Sequence, residues 1–128
     1  MRLLLDTHIA LWALADSPRL TETARGLIMD RDNDIYFSAA TICEIAVKHS
    51  LARKDMPLSG AEAAKLFSDA GYIELPITSA HAAATEKLPK RHSDPFDRIL
   101  VAQAITEPLR MLTHDRQILS YGEAICFV

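Results

Sequence analysis

The 128-residue chain has little glycine: only Gly26, Gly60, Gly71 and Gly122. They are too scattered to build a phosphate-cradling loop or a dinucleotide fingerprint, which argues against nucleotide cofactors held in that way. Cysteine is scarcer still. Cys43 and Cys126 lie far apart, each among apolar neighbours and neither with a metal-type partner two to four positions away. They read as buried free thiols, and a short chain that needs no disulfide staple suits a reducing cytosol. Basic charge is not in excess, since 14 Lys and Arg against 17 Asp and Glu leave a formal net charge of -3. The totals therefore carry no electrostatic footprint for nucleic acid. No apolar run is long enough to span a bilayer, and Asp6 and His8 interrupt the N-terminal stretch that loosely imitates a secretory signal. A soluble, cytoplasmic protein with no membrane partner is expected.

Hydrophobic residues at 49% and charged residues at 24% exclude a disordered or fibrous chain. With no linker, repeat or low-complexity tract, the length fits one domain over residues 1–128. Short apolar runs at 2–5, 35–37, 72–77, 111–113 and 124–128 read as strands. Between them lie stretches of helical character at 9–14, 21–29, from Thr41 onward, 79–88 and from Asp94 to Pro108, with a short helix before the last strand. Ser59 and Glu62 form a capping box ahead of Ala63, Leu66, Phe67 and Ala70, and Gly71 closes that helix. Asp94-Pro95 is an N-cap followed by proline at the first helical position. Strands alternating with helices imply an α/β fold, a three-layer sandwich around a mostly parallel sheet of about five strands.

In such sheets ligands bind beyond the carboxyl ends of the strands, so acids there are informative. Asp6 ends the first strand, Asp115 follows the fourth, Asp97 opens a helix, and Glu44 lies early in the helix after the second. Each has an ordinary explanation: Asp97 favours its helix dipole, Asp6 and Asp115 can cap the helices after them, and Glu44 can pair with Lys48. Together they are harder to dismiss. Two unit charges 4 Å apart repel by about 4 kcal/mol at an effective dielectric of 20, against a domain stability of roughly 5–15 kcal/mol. Either some acids are protonated or divalent cations lie between them, and all-oxygen ligation suits Mg²⁺ or Mn²⁺, one or two ions. Hydrolysis of phosphodiesters is the natural chemistry of that arrangement. Two such ions would carry the formal charge from -3 to about +1, so mild acidity no longer argues against nucleic acid.

Lys48, Arg91 and Arg98 are candidate phosphate contacts among basic clusters that also include His49, Arg53, Lys54, Lys87, Lys90 and His92, although each suits a solvated surface equally well. Thr7 and Thr113 flank acids, where they can orient a carboxylate or a bound water or simply bond the backbone. His8 and His114 stand in the mirrored strings Asp6-Thr7-His8 and Thr113-His114-Asp115, and a two-histidine metal site is the weaker reading because alternate side chains at a strand end face opposite ways.

The strings LLLDTHIALWAL, SAATICEIAVKHSL and HSDPFDRILVAQA followed by LTHD resemble, in order and over essentially the whole chain, a PIN-domain ribonuclease. More narrowly they resemble VapC-type toxins of toxin-antitoxin pairs. The resemblance places the family's acidic quartet on Asp6, Glu44, Asp97 and Asp115, with Asp6 and Asp97 as principal metal ligands and Asp94 and Arg98 at further motif positions. It implies Mg²⁺- or Mn²⁺-dependent cleavage of RNA, a homodimer, and neutralisation by a VapB-type antitoxin. The chain departs from the family at Ala52, where a helix-ending glycine is common, so a longer helix or a left-handed alanine is expected. It also departs at Cys43, which replaces a frequent large aromatic. Two other readings stand beside the enzyme: a non-catalytic PIN-fold binding module, and a metal-dependent phosphatase or phosphoacceptor. The acids themselves do not distinguish RNA from DNA, because metal-assisted attack needs no 2′-hydroxyl.

Overall fold

After Arg2, Leu3-Leu4-Leu5 is apolar without alternation, so it must be covered on both faces. In the computed structural model, which describes residues 1–90 and 94–128, it forms β1 (Arg2–Leu5), the middle strand of a five-stranded sheet. The others are β2 (Asp34–Ser38), β3 (Ile73–Leu75), β4 (Arg110–Thr113) and β5 (Ile125–Phe127). Their order is β3-β2-β1-β4-β5 and every pairing is parallel. The pleat splits the leucines: Leu3 and Leu5 join one core, and Leu4 joins the other.

The first core lies under α1 (Thr7–Leu14), α2 (Glu22–Met29) and α4 (Gly60–Asp69), with Ile9, Ala24, Phe37, Ile45 and Phe67 buried in it. The second lies under α6 (Pro95–Thr106), whose Leu100, Val101 and Ala104 pack with Met111 and Ile125. α3 (Ala39–Ser50) contributes to both cores, and α5 (Ser79–Ala84) runs beside α6. The result is the α/β/α sandwich expected from the alternation of strands and helices.

Boundaries shift where local chemistry overrides pattern. α3 starts at Ala39 rather than Thr41, directly after β2. Ser38 is its N-cap, accepting from the Ala40 N–H at 2.9 Å and donating to Gln103 Oε1 of α6 at 2.6 Å. The third strand is shorter than 72–77, ending at Leu75 before Pro76, which has no N–H to pair. The helix expected over 79–88 breaks after Ala84 into a 3₁₀ turn at Thr85–Lys87, and the short helix before β5 is a 3₁₀ turn at Ile118–Tyr121. Cys43 is exposed and Cys126 half-buried, so neither is the buried thiol its neighbours suggested. Cys43 faces away from the core on α3.

Two positions set how α3, the carrier of Glu44, meets α4. Ala52, just past its C-terminus, is left-handed at φ 55°, one of the two outcomes expected from the missing glycine. Gly60, at the first position of α4, lies so close to α3 that an added Cβ would be 2.9 Å from Ala46 Cβ and 3.3 Å from the Ile42 carbonyl oxygen. Urea denaturation should separate the two sites. Ala52→Gly relieves the left-handed strain and raises stability by about 1 kcal/mol, whereas Gly60→Ala forces the helices apart and lowers it by about 1–3 kcal/mol.

Candidate active site

Four chain segments bring acids to one edge of the sheet. Asp6 follows β1 directly, Asp115 lies two residues beyond β4, and α3 carries Glu44 away from the end of β2. α6 delivers the chain to the start of β4, so its first turn, with Asp97, lies at the opposite, carboxyl edge.

Asp6 is held twice. Its backbone N–H donates to the Leu112 carbonyl oxygen at 3.0 Å, extending the β1–β4 ladder by one rung. Its side chain caps α1, with Oδ1 accepting from the Ile9 N–H at 2.8 Å, while Oδ2 accepts from the Thr113 hydroxyl at 2.5 Å. The Thr113 oxygen in turn accepts from the Asp115 N–H at 3.0 Å, so one hydroxyl links two acids. Asp6 is only 4% exposed. Burial pushes its pKa above the usual carboxylate range, against the lowering effects of Thr113, the Ile9 N–H and His8, and the nearby charge of Asp115 adds to the upward shift.

Glu44, on α3, is also held twice, once by Thr7, the residue after Asp6. Its Oε1 accepts from the buried Thr7 hydroxyl at 2.9 Å, which also lies 3.2 Å from the Thr41 hydroxyl, and its Oε2 meets Lys48 Nζ at 2.7 Å. Asp97 occupies the third position of α6 with its N–H 3.3 Å from Asp94 Oδ1.

Asp6 and Asp115 share a cleft of about 340 Å³ whose wall is completed by His8, Trp12, Arg19, His114 and Arg116. Several residues considered for substrate binding do other work. Thr7 and Thr113 are buried and donate their hydroxyls to carboxylates, so they orient the acids. Asp94 caps α6 through the Phe96 and Asp97 N–H groups. Arg98 donates to the carbonyl oxygens of Thr85, Leu88 and Pro89 and to the Tyr121 hydroxyl, which ties the segment before α6 to the fold and leaves little for phosphate. Lys48 is committed to Glu44. Arg91 lies outside the described residues.

His8 and His114 each lie against Trp12, the one tilted and the other edge-on to it. Trp12, Arg19 and Arg116 were not apparent as site residues from the sequence. The available signals were the i, i+4 spacing of His8 and Trp12 on α1 and the adjacency of Arg116 to Asp115.

The family model of the PIN domain matches residues 3–124. The chain belongs to the PIN domain family. No curated protein sequence matches it. Among solved structures, this PIN domain is similar to VapBC2 from Rickettsia felis bound to a DNA fragment from their promoter, at a TM-score of 0.71 and 15% identity, covering 100% of this chain and 98% of that one. It is also similar to FitAB bound to IR36 DNA, at a TM-score of 0.60 and 18% identity over 98% of this chain and 94% of that one. A third likeness is to FitAcB from Neisseria gonorrhoeae, at 0.59 and 20% over 98% and 95%.

The donor set fits a hard divalent cation in part. Among the described residues no three His, Cys, Asp or Glu side chains converge as a closed metal centre requires. Mg²⁺, however, is commonly held by one or two carboxylates and several waters, and the Asp6–Asp115 pair in an open cleft supplies that minimum.

A raised pKa has a definite sign in stability. In the metal-free protein, Asp6 retains its proton over a pH range where the unfolded chain has lost it. Stability then falls as pH rises from the ordinary carboxylate range through the raised value, and stays low above it. In EDTA, the stability difference between Asp6→Asn and the parent should therefore grow in favour of the variant across that window. Asparagine caps the helix as well as aspartate does, so thermal midpoints measured against pH isolate the charge.

Proposed function

We propose that residues 1–128 form one PIN domain acting as a metal-dependent endoribonuclease, the toxin of a toxin-antitoxin pair. The observation that carries this reading is the placement of Asp6 and Asp115 in one cleft at the carboxyl edge of the sheet, with Asp6 deprived of water. A carboxylate buried beside another is costly unless a cation compensates it. A binding module would gain by replacing Asp6, which disfavours the non-catalytic reading. A phosphoacceptor would want a second acid beside Asp6, and there the neighbour is Thr7, whose hydroxyl is committed to Glu44.

Asp6 and Asp115 would hold the ion, whereas Asp97, which the resemblance gives as a principal ligand, and Glu44 would act from outside the lining of that cleft. A bound Mg²⁺ or Mn²⁺ supplies an activated water and neutralises charge on the scissile phosphate. The chain's own part is positional. Thr113 and the first turn of α1 fix both oxygens of Asp6, and Thr7 and Lys48 fix both oxygens of Glu44, so the acids need no rearrangement as the reaction proceeds. Arg19 and Arg116, exposed on the cleft wall, offer positive charge to the flanking phosphates. A VapB-type antitoxin partner draws support from the likeness to VapBC2 and FitAB, and a homodimer from the family resemblance.

Purified protein should cleave single-stranded RNA in Mg²⁺ or Mn²⁺ and lose that activity in EDTA. Asp6→Asn and Asp97→Asn, prepared identically, should each fall by about 100-fold or more, the scale of single electrostatic contributors to catalysis, and Thr113→Val by about 10-fold through misorientation of Asp6. Cleavage by both acid variants at the parent's rate with either ion, with no activity in a mock preparation from cells lacking the protein, would exclude this site.

A further inference from the structure

A row of rings borders the acid cleft. His8 and Trp12 have ring centroids 6.0 Å apart, Trp12 meets His114 edge-on at 5.8 Å, and His114 stacks on Phe127 at 5.0 Å and 21°. The Arg116 guanidinium lies 4.6 Å over the Phe127 ring and ends the row. His114 is pinned by its Nδ1, 2.6 Å from the Val128 carbonyl oxygen. A second aromatic row in the protein, Phe37–Phe67–Tyr72, shows what packing alone produces: benzene-type rings with both phenylalanines fully buried. The row at the cleft differs. Its imidazoles and guanidinium are exposed, Trp12 and Phe127 are half-buried, and it draws its members from α1, the segment after β4, and β5.

We propose that His8, Trp12 and His114, the last backed by Phe127, form a stacking surface for the bases of a single-stranded nucleic acid passing the acids; the proposal deepens the nuclease reading and rests on it for the substrate class. Aromatic and imidazole faces accept any unstacked base, whereas the bases of a duplex are occupied with one another. Space exists on both sides of the central ring. His8, Trp12 and Arg19 border the 340 Å³ cleft holding Asp6 and Asp115 and also a neighbouring cleft of about 370 Å³ floored by Leu11, Met56 and Leu58. Successive nucleotides can thus lie either side of Trp12. Among the described residues neither Arg19 nor Arg116 is paired with a carboxylate, which leaves both for the phosphates of the same strand. Base stacking would set which phosphodiester is presented to the acids.

Trp12 is the single tryptophan of the chain, so its fluorescence reports the contact directly. The probes are a short single-stranded RNA of mixed sequence, an abasic strand of equal length and an RNA duplex, each titrated in EDTA and in Ca²⁺. The single strand should quench Trp12, while the abasic strand and the duplex leave it unchanged and bind about 10-fold more weakly. By anisotropy of labelled RNA, Trp12→Ala and His114→Ala should each weaken single-strand binding about 10-fold, with Trp12→Phe within about 3-fold of the parent. In Mg²⁺ the loss should appear in KM more than in kcat. His114→Ala, at an exposed position, serves if Trp12→Ala fails to fold. Equal affinity for RNA and the abasic strand with unchanged fluorescence would overturn the stacking surface. So would RNA cleavage with KM unaltered in His114→Ala together with unchanged anisotropy, and either result leaves the nuclease reading intact. Quenching by RNA without cleavage in Mg²⁺ or Mn²⁺ would remove the nuclease and keep the surface.

Discussion

The carboxylate of Asp6 is shut away from water, and everything at the carboxyl edge of the sheet is arranged around keeping it there. An isolated buried carboxylate is unfavourable by several kcal/mol or abandons its charge. Here the compensation is incomplete: two hydrogen bonds and one imidazole favour ionisation, and desolvation and Asp115 oppose it with the larger effect. A cation in the shared cleft would complete the compensation, and this need is what makes the site chemical as well as structural.

The junction between β1 and α1 organises both halves of the site. Asp6 and Thr7 are consecutive, yet one is an acid held by a threonine and the other a threonine holding an acid. Thr113 reaches Asp6 across 107 positions of sequence and Thr7 reaches Glu44 across 37. These two hydroxyls tie β1, α3 and β4 together at the points where their side chains matter. The tight contact of Gly60 with α3 and the Ser38–Gln103 bond between α3 and α6 then set the helices that carry Glu44 and Asp97 against the sheet.

Much of this was legible in the residues, and the parts that were not share a cause. The unalternating Leu3-Leu4-Leu5 suited a buried strand, and β1 is the central one. The Ser59–Glu62 capping box is present with both of its bonds, and Asp94 caps α6 as the following proline suggested. The left-handed Ala52 follows from a missing glycine. All are local signals. What escaped was long-range or directional. The apolar neighbours of Cys43 do not reveal which side of α3 it faces. Ser38-Ala-Ala gives no periodicity to mark the true start of that helix, and nothing near Arg98 announces that three backbone carbonyls will claim it. The role of Thr7 and Thr113 depends on partners far along the chain. The ring of cleft residues around Trp12 comes from three separate segments, so no single window of sequence contains it.

A divalent cation compensating Asp6 would lie between Asp6 and Asp115, where anomalous diffraction from crystals of the protein grown with Mn²⁺ would reveal it. A manganese peak is expected within coordinating reach of both carboxylates, and is expected to be lost in Asp6→Asn. A Mn²⁺-dependent ribonuclease whose crystals show the metal bound elsewhere, with no density against either carboxylate, would contradict it.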